Sequence, residues 1–85
     1  MKKTLCEIKL FDKDDDCYIE VIFNINDLAQ KLKSKTKKPV SIEGDGKIKI
    51  LSIKSKEVLD ILKNIGYDFD YVFEESYGLK LMYEC

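Results

Sequence analysis

Between residues 4 and 11, Cys6, Ile8 and Leu10 alternate with Glu7 and Lys9, the period of two that a strand with one buried face requires. The run breaks at Asp12, Lys13, Asp14, Asp15 and Asp16. From residue 17 to 25 the alternation resumes, with Cys17, Ile19, Val21, Phe23 and Ile25 on one side and Tyr18, Glu20, Ile22 and Asn24 on the other. These two runs predict a hairpin around an acidic loop. The period then lengthens. Asn24 with Asp27 three residues later forms a capping pair, with Phe23 placed to pack over Leu28 across the first turn. Leu28, Ala29 and Leu32 give this helix one apolar side. The helix runs into the lysine-rich residues 33–38 and stops before Pro39, whose ring disfavours helical geometry at the preceding residue.

The same order repeats. Val40 and Ile42 alternate with Ser41 and Glu43, Gly44-Asp45-Gly46 supplies a strong turn, and Ile48 and Ile50 alternate with Lys47 and Lys49, which predicts a second hairpin. Ser55 is placed to cap a second helix with Glu57 in its first turn; Val58, Leu59, Ile61, Leu62 and Ile65 recur at helical spacing, and Gly66 ends it. A last pair of strands puts Phe69, Tyr71 and Phe73 on one face of the first and Leu79, Leu81 and Tyr83 on one face of the second, around Glu74-Glu75-Ser76-Tyr77-Gly78. The expected architecture is an α+β fold of order ββαββαββ, with a weak internal ββα repeat and an antiparallel sheet carrying two helices on one face. Lys47 and Lys49, both on an outward face, are expected to blunt an edge of that sheet.

With 85 residues the chain makes a single domain, since half that length falls below the size at which a core folds unaided. It holds fifteen basic residues, all lysine, against sixteen acids, and no histidine or tryptophan. Without histidine, the Ser-His-Asp and Cys-His constellations and the commonest neutral-pH general base are excluded, so an enzyme is not expected. Cys6, Cys17 and Cys85 are odd in number and lack CxxC spacing. They are expected to be reduced thiols, Cys6 and Cys17 as small core hydrophobes and Cys85 exposed. No secretory signal and no membrane-length apolar run is present, and a cytoplasmic location is the expectation.

Charge is uneven along the chain. Residues 1–26 carry four lysines and six acids, residues 27–63 ten lysines and five acids, and residues 64–85 one lysine and five acids. The middle segment concentrates positive charge at Lys31, Lys33, Lys35, Lys37 and Lys38, and the last concentrates negative charge at Asp68, Asp70, Glu74 and Glu75. The acidic loop of residues 12–16 has carboxylates at the first, third and fifth positions of a calcium loop. Its sixth position is Cys17 where glycine is required, and its twelfth is Phe23 where a bidentate glutamate is required, so it predicts no metal site. Gly44-Asp45-Gly46 lies between strands with no helix to hold a phosphate and reads as a turn. No cofactor is expected.

Tyr67 and Tyr77 stand outside the apolar alternation beside carboxylates, a combination suited to a protein-facing surface. The candidate partner-binding residues are therefore Asp12, Asp14, Asp15, Asp16, Tyr67, Asp68, Asp70, Glu74, Glu75 and Tyr77. In size and composition, rich in Lys, Ile, Asp and Tyr, the chain is similar to phage or mobile-element inhibitors such as anti-CRISPR proteins. That resemblance implies a non-enzymatic inhibitor that occupies a surface of a larger, nucleic-acid-handling protein through acidic loops. The alternative is a self-associating structural or regulatory domain, a homodimer through an uncovered strand, contacting nucleic acid through the lysines of residues 31–38. Direct nucleic-acid binding is the weaker expectation, because arginine is absent and no aromatic interrupts that lysine run. No membrane partner is expected.

Overall fold

Every period-two segment becomes a strand of one sheet in the computed structural model, which describes residues 4–85. The elements are β1 (Leu5–Lys13), β2 (Asp16–Glu20), α1 (Ile25–Lys35), β3 (Val40–Ile42), β4 (Ile48–Ile50), α2 (Ser55–Ile65), β5 (Phe69–Glu75) and β6 (Gly78–Glu84). The ββαββαββ order of an α+β fold is thus as the sequence indicates. All pairings are antiparallel, in the order β3-β4-β2-β1-β6-β5. Each ββα unit forms its own hairpin, and the two units join where β2 pairs with β4, Ile19 opposite Ile48. The last hairpin docks on the far side of β1, which pairs with β6 over seven residues.

Residues opposite one another in a ladder share a face, so the register sorts the sheet into two sides. Ile8, Leu10, Cys17, Ile19, Ile48, Ile50, Leu79 and Leu81 point under the helices and are buried with Leu28, Ala29, Leu32, Val58 and Leu62. At about 2 kcal/mol for each large aliphatic side chain removed from water, this layer is the main favourable contribution to folding. Helix α2 lies over β1 and β6, and α1 reaches β3. Glu7, Lys9, Phe11, Tyr18, Lys49, Lys80 and Met82 form the opposite, uncovered side, as the pairs Glu7 with Met82 and Tyr18 with Lys49 show.

Several local expectations are corrected. Strand β2 ends at Glu20, so Phe23 and Ile25 do not continue its face. Asn24 stands before α1 in the left-handed region at φ 58° and makes no side-chain cap; its carbonyl accepts the Leu28 N–H at 2.9 Å. That left-handed step turns Phe23 into solvent, 67% exposed, rather than over Leu28. Ser55 is the first residue of α2 and not its cap; Lys54 holds the cap position. Lys47 and Lys49 cannot blunt an edge, because β4 lies inside the sheet and the edges are β3 and β5. Gly66 does end α2, at φ 126°, a conformation that side-chain-bearing residues avoid.

The cysteines depart furthest from the expectation of reduced thiols. Cys6 and Cys85 form a disulfide with their Cα atoms 5.8 Å apart, within the usual range for such a bond. The β1–β6 pairing is the cause, since it brings the chain's last residue alongside Thr4, where the Cys85 N–H donates to the Thr4 carbonyl at 3.1 Å. Cys85 is exposed, as expected, and Cys17 is, as expected, a free cysteine buried in the core. Burial and the nearby Asp12 push its thiol up to about 12, which keeps it protonated and unreactive at neutral pH.

Candidate functional site

The β1–β2 and β5–β6 turns lie side by side at one end of the sheet. The expected acidic loop is shorter than the acidic run, because β1 continues through Lys13 and β2 begins at Asp16, leaving Asp14 and Asp15 as a tight turn with Asp14 at φ 58°. The Asp12 N–H donates to the Tyr77 carbonyl at 2.7 Å and so ties this turn to the next. The Asp12 carboxylate accepts two hydrogen bonds from Ser55, one from its N–H and one from its hydroxyl, each 2.8 Å. It thereby caps α2 from across the fold, negative charge against the positive end of the helix. Asp16 accepts the Ser52 N–H at 3.0 Å, and the Asp15 carbonyl accepts the Ile53 N–H at 3.1 Å.

The five-residue acidic run therefore divides. Asp12 and Asp16 are turned onto the β4–α2 connection and hold it, while Asp14 and Asp15 remain exposed. Carboxylates aimed apart in this way do not converge on a cation, and no cluster of three metal-ligating side chains exists among the described residues. Beside Asp14 and Asp15, Tyr77 lies on the uncovered side of the sheet and stacks on Phe11, ring centroids 5.0 Å apart. Glu74 and Glu75 flank it. An open groove of about 400 Å³ runs between this turn and the start of α2. Lys56 crosses it toward Glu74 at 3.9 Å, but both side chains are more than three-quarters exposed, and such a pair contributes little.

Asp68 and Asp70 do not join this end. They lie at the opposite end of β5, a strand of seven residues and so about 20 Å long. Tyr67 leaves the acidic surface as well: its ring stacks on Phe69 and meets Tyr83 edge-on at 5.1 Å, half-buried at the core's margin. Burial raises its hydroxyl pKa, with Tyr83 and Asp27 adding to the effect. The ten expected partner-binding residues thus separate into an exposed cluster of Asp14, Asp15, Glu74, Glu75 and Tyr77, a second pair Asp68 and Asp70, and three residues, Asp12, Asp16 and Tyr67, with internal partners.

Between the two acidic ends the sequence reading missed an apolar surface. Phe69 pairs with Tyr83, but the next paired residue is Tyr71, opposite Met82; a bulge at Asp70 interrupts the ladder. One extra residue reverses the alternation. Phe69 stays on the helix side, whereas Tyr71 and Phe73 move to the uncovered side and Val72 takes the helix side opposite Leu81. Tyr71 and Phe73 thus face the side without helices, and with β5 at the sheet's edge Tyr71, Val72 and Phe73 are 54%, 42% and 48% exposed. Tyr71 and Phe73 stack at 6.0 Å. The only sequence signal for the bulge is the acid Asp70 set between aromatic residues, which strict alternation reads as an outward position.

The other charged surfaces are arranged differently. On the uncovered side, Lys47 and Lys49 each lie 5.5 Å from an aromatic centroid, of Phe11 and Tyr18, and Lys80 pairs with Glu7 at 3.2 Å. These cations are already engaged by neighbours of the same face. Lys33, Lys35, Lys37 and Lys38 are exposed at the end of α1 and in the connection to β3, at the opposite edge of the sheet from β5. Five strand spacings, about 24 Å, separate the two edges. No helix among the described residues is long and apolar enough to cross a membrane. Compared with family models, curated proteins and solved structures, the chain matches none, so the geometry alone carries its functional reading.

Proposed function

We propose that the protein is a non-enzymatic binding module that acts by occupying a basic surface of a larger protein, the surface with which that partner handles nucleic acid. The observation that carries this reading is the grouping of Asp14, Asp15, Glu74 and Glu75 around the exposed Tyr77 at one end of the sheet. Two turns far apart in sequence are held together there by the Asp12–Tyr77 hydrogen bond. An acidic patch with an aromatic at its centre has the composition of a surface that competes for cationic side chains. Glu74 and Glu75 lie on the edge strand opposite the one the α1 lysines lead into, a charge asymmetry that orients approach to such a partner. Inhibition by occupation, as in the phage-borne proteins the composition resembles, is part of the same proposal.

The test is affinity capture from nuclease-treated lysates of the source organism and of any host it infects, followed by titration of the captured partner. A stoichiometric protein partner whose affinity falls at least tenfold on joint Asp14→Lys, Asp15→Lys, Glu74→Lys and Glu75→Lys substitution is the expected result. Unchanged affinity would remove this face from consideration. Recovery of nucleic acid alone would transfer the function to Lys33, Lys35, Lys37 and Lys38.

A further inference from the structure

Strand β5 is hydrogen-bonded to a neighbour on one side only, and its other edge is open along seven residues. We propose that this edge takes up an extended, basic segment of the partner protein as a seventh strand, with apolar residues at the middle of the segment and lysine or arginine at both ends. The proposal rests on the reading that the partner is basic, and it names the backbone edge through which the partner is held.

Three features of β5 converge on this occupant. The strand has free main-chain groups, which supply affinity in strand addition whatever the incoming sequence. Its middle is apolar on both sides, Tyr71 and Phe73 on one and Val72 on the other, so an added strand covers exposed apolar surface whichever way its side chains alternate. Its ends are acidic, Asp68 and Asp70 before the apolar triad and Glu74 and Glu75 after it, with no lysine on the strand. Natural edges are commonly closed to other chains by lysine or by a bulge; here the bulge at Asp70 precedes the apolar triad, and the ladder runs without interruption from Tyr71 to Glu75.

The same charges exclude a second copy. Overlaying the apolar middles of two β5 strands sets Asp70 against Glu74 in the antiparallel arrangement and acid against identical acid in the parallel one, and like charges directly opposite destabilise a pair. The other edge strand, β3, spans three residues and cannot match the length of β5. A partner segment with three apolar residues at its middle and cationic residues on either side matches the apolar triad and the acids Asp70, Glu74 and Glu75 that flank it.

The probe is a blocked heptapeptide of two lysines, three valines and two lysines, titrated into the full-length ¹⁵N-labelled protein. Amides of β5 are expected to gain protection from hydrogen exchange, and affinity is expected to fall at least tenfold when alternate peptide amides are N-methylated, which keeps charge and side chains but removes strand pairing. Val72→Lys, at an exposed position, is expected to weaken binding by a similar factor. If that variant unfolds, the methylated peptide decides the question alone. Equal binding by the methylated peptide, mapped to Asp14 and Asp15, would overturn strand addition while leaving the acidic-end reading intact. Failure of the unmethylated peptide to bind at millimolar concentration would overturn it as well. Loss of the acidic-end reading shows separately, in the partner titration against the charge-reversed turns.

Discussion

Asp12 serves three elements at once: its N–H holds the β5–β6 turn, its position ends the core side of β1, and its carboxylate caps α2. Because Ser55 is 3% exposed, removing the carboxylate leaves a buried hydroxyl and a helix N–H without their acceptor. Asp12→Ala is therefore expected to lower unfolding free energy by about 2–3 kcal/mol in urea titrations. Asp15→Ala, three residues away, exposed and at an ordinary backbone conformation, is expected to stay within about 0.5 kcal/mol. A Cβ at Gly78 would overlap the Leu10 carbonyl oxygen, a backbone atom that cannot move aside. Gly78→Ala is accordingly expected to cost roughly 2 kcal/mol or more and to lower Tm. At Cys17 the folded state keeps the thiol protonated to about 12 against an ordinary value of 9.0. Between these values the native state binds more protons than the unfolded chain, so stability falls as pH rises, by about 1.4 kcal/mol per unit. Urea titrations at pH 8 and pH 10.5 are expected to show this slope reduced in Cys17→Ala.

Among the elements, the hairpins and helices were legible because each records its burial in its own period: Ile48 and Ile50 alternate, and Val58 and Leu62 fall on one helical face. Strand β5 was legible as a strand but not in its facing. Its alternation counts Phe69, Tyr71 and Phe73 as one row, and the bulge at Asp70 divides that row between the two sides of the sheet. The strand pairs on one side only, and Tyr71, Val72 and Phe73 are exposed. Native-state hydrogen exchange is therefore expected to be faster for β5 amides than for those of β1, which lies between β2 and β6. Equal protection in the two strands would count against β5 as an open edge. The α1 cap shows a related limit. Asn24 and Asp27 have the spacing of a capping box, yet a left-handed Asn24 satisfies the chain's direction without it.

For the molecule as a whole, the pairing of β1 with β6 decides most of what the sequence could not. It sets the strand order, places two acidic turns at one end, and brings Cys6 to Cys85 across 79 residues of chain. Closing so long a loop restricts the unfolded ensemble strongly, an effect of about 2–4 kcal/mol. Reduction is expected to lower Tm by about 10 °C or more, and Cys85→Ser is expected to reproduce that shift without reductant. A Tm indifferent to reductant would show that the two sulfurs do not constrain the unfolded chain.

The sequence by itself determined the eight elements, their order and the two-sided character of the sheet, because periodicity is a local record of which side chains must leave water. It also determined that the chain carries acids at its ends and lysines at its middle. Which acids face outward was decided by tertiary structure alone. Asp12 and Asp16 find backbone donors in a segment some forty residues away, whereas Asp14 and Asp15, with the same chemistry, do not. The exposed triad of β5 was likewise decided by a one-residue bulge and by the strand's place at the edge of the sheet. Such outcomes depend on contacts between distant segments, and no local pattern of residues encodes them.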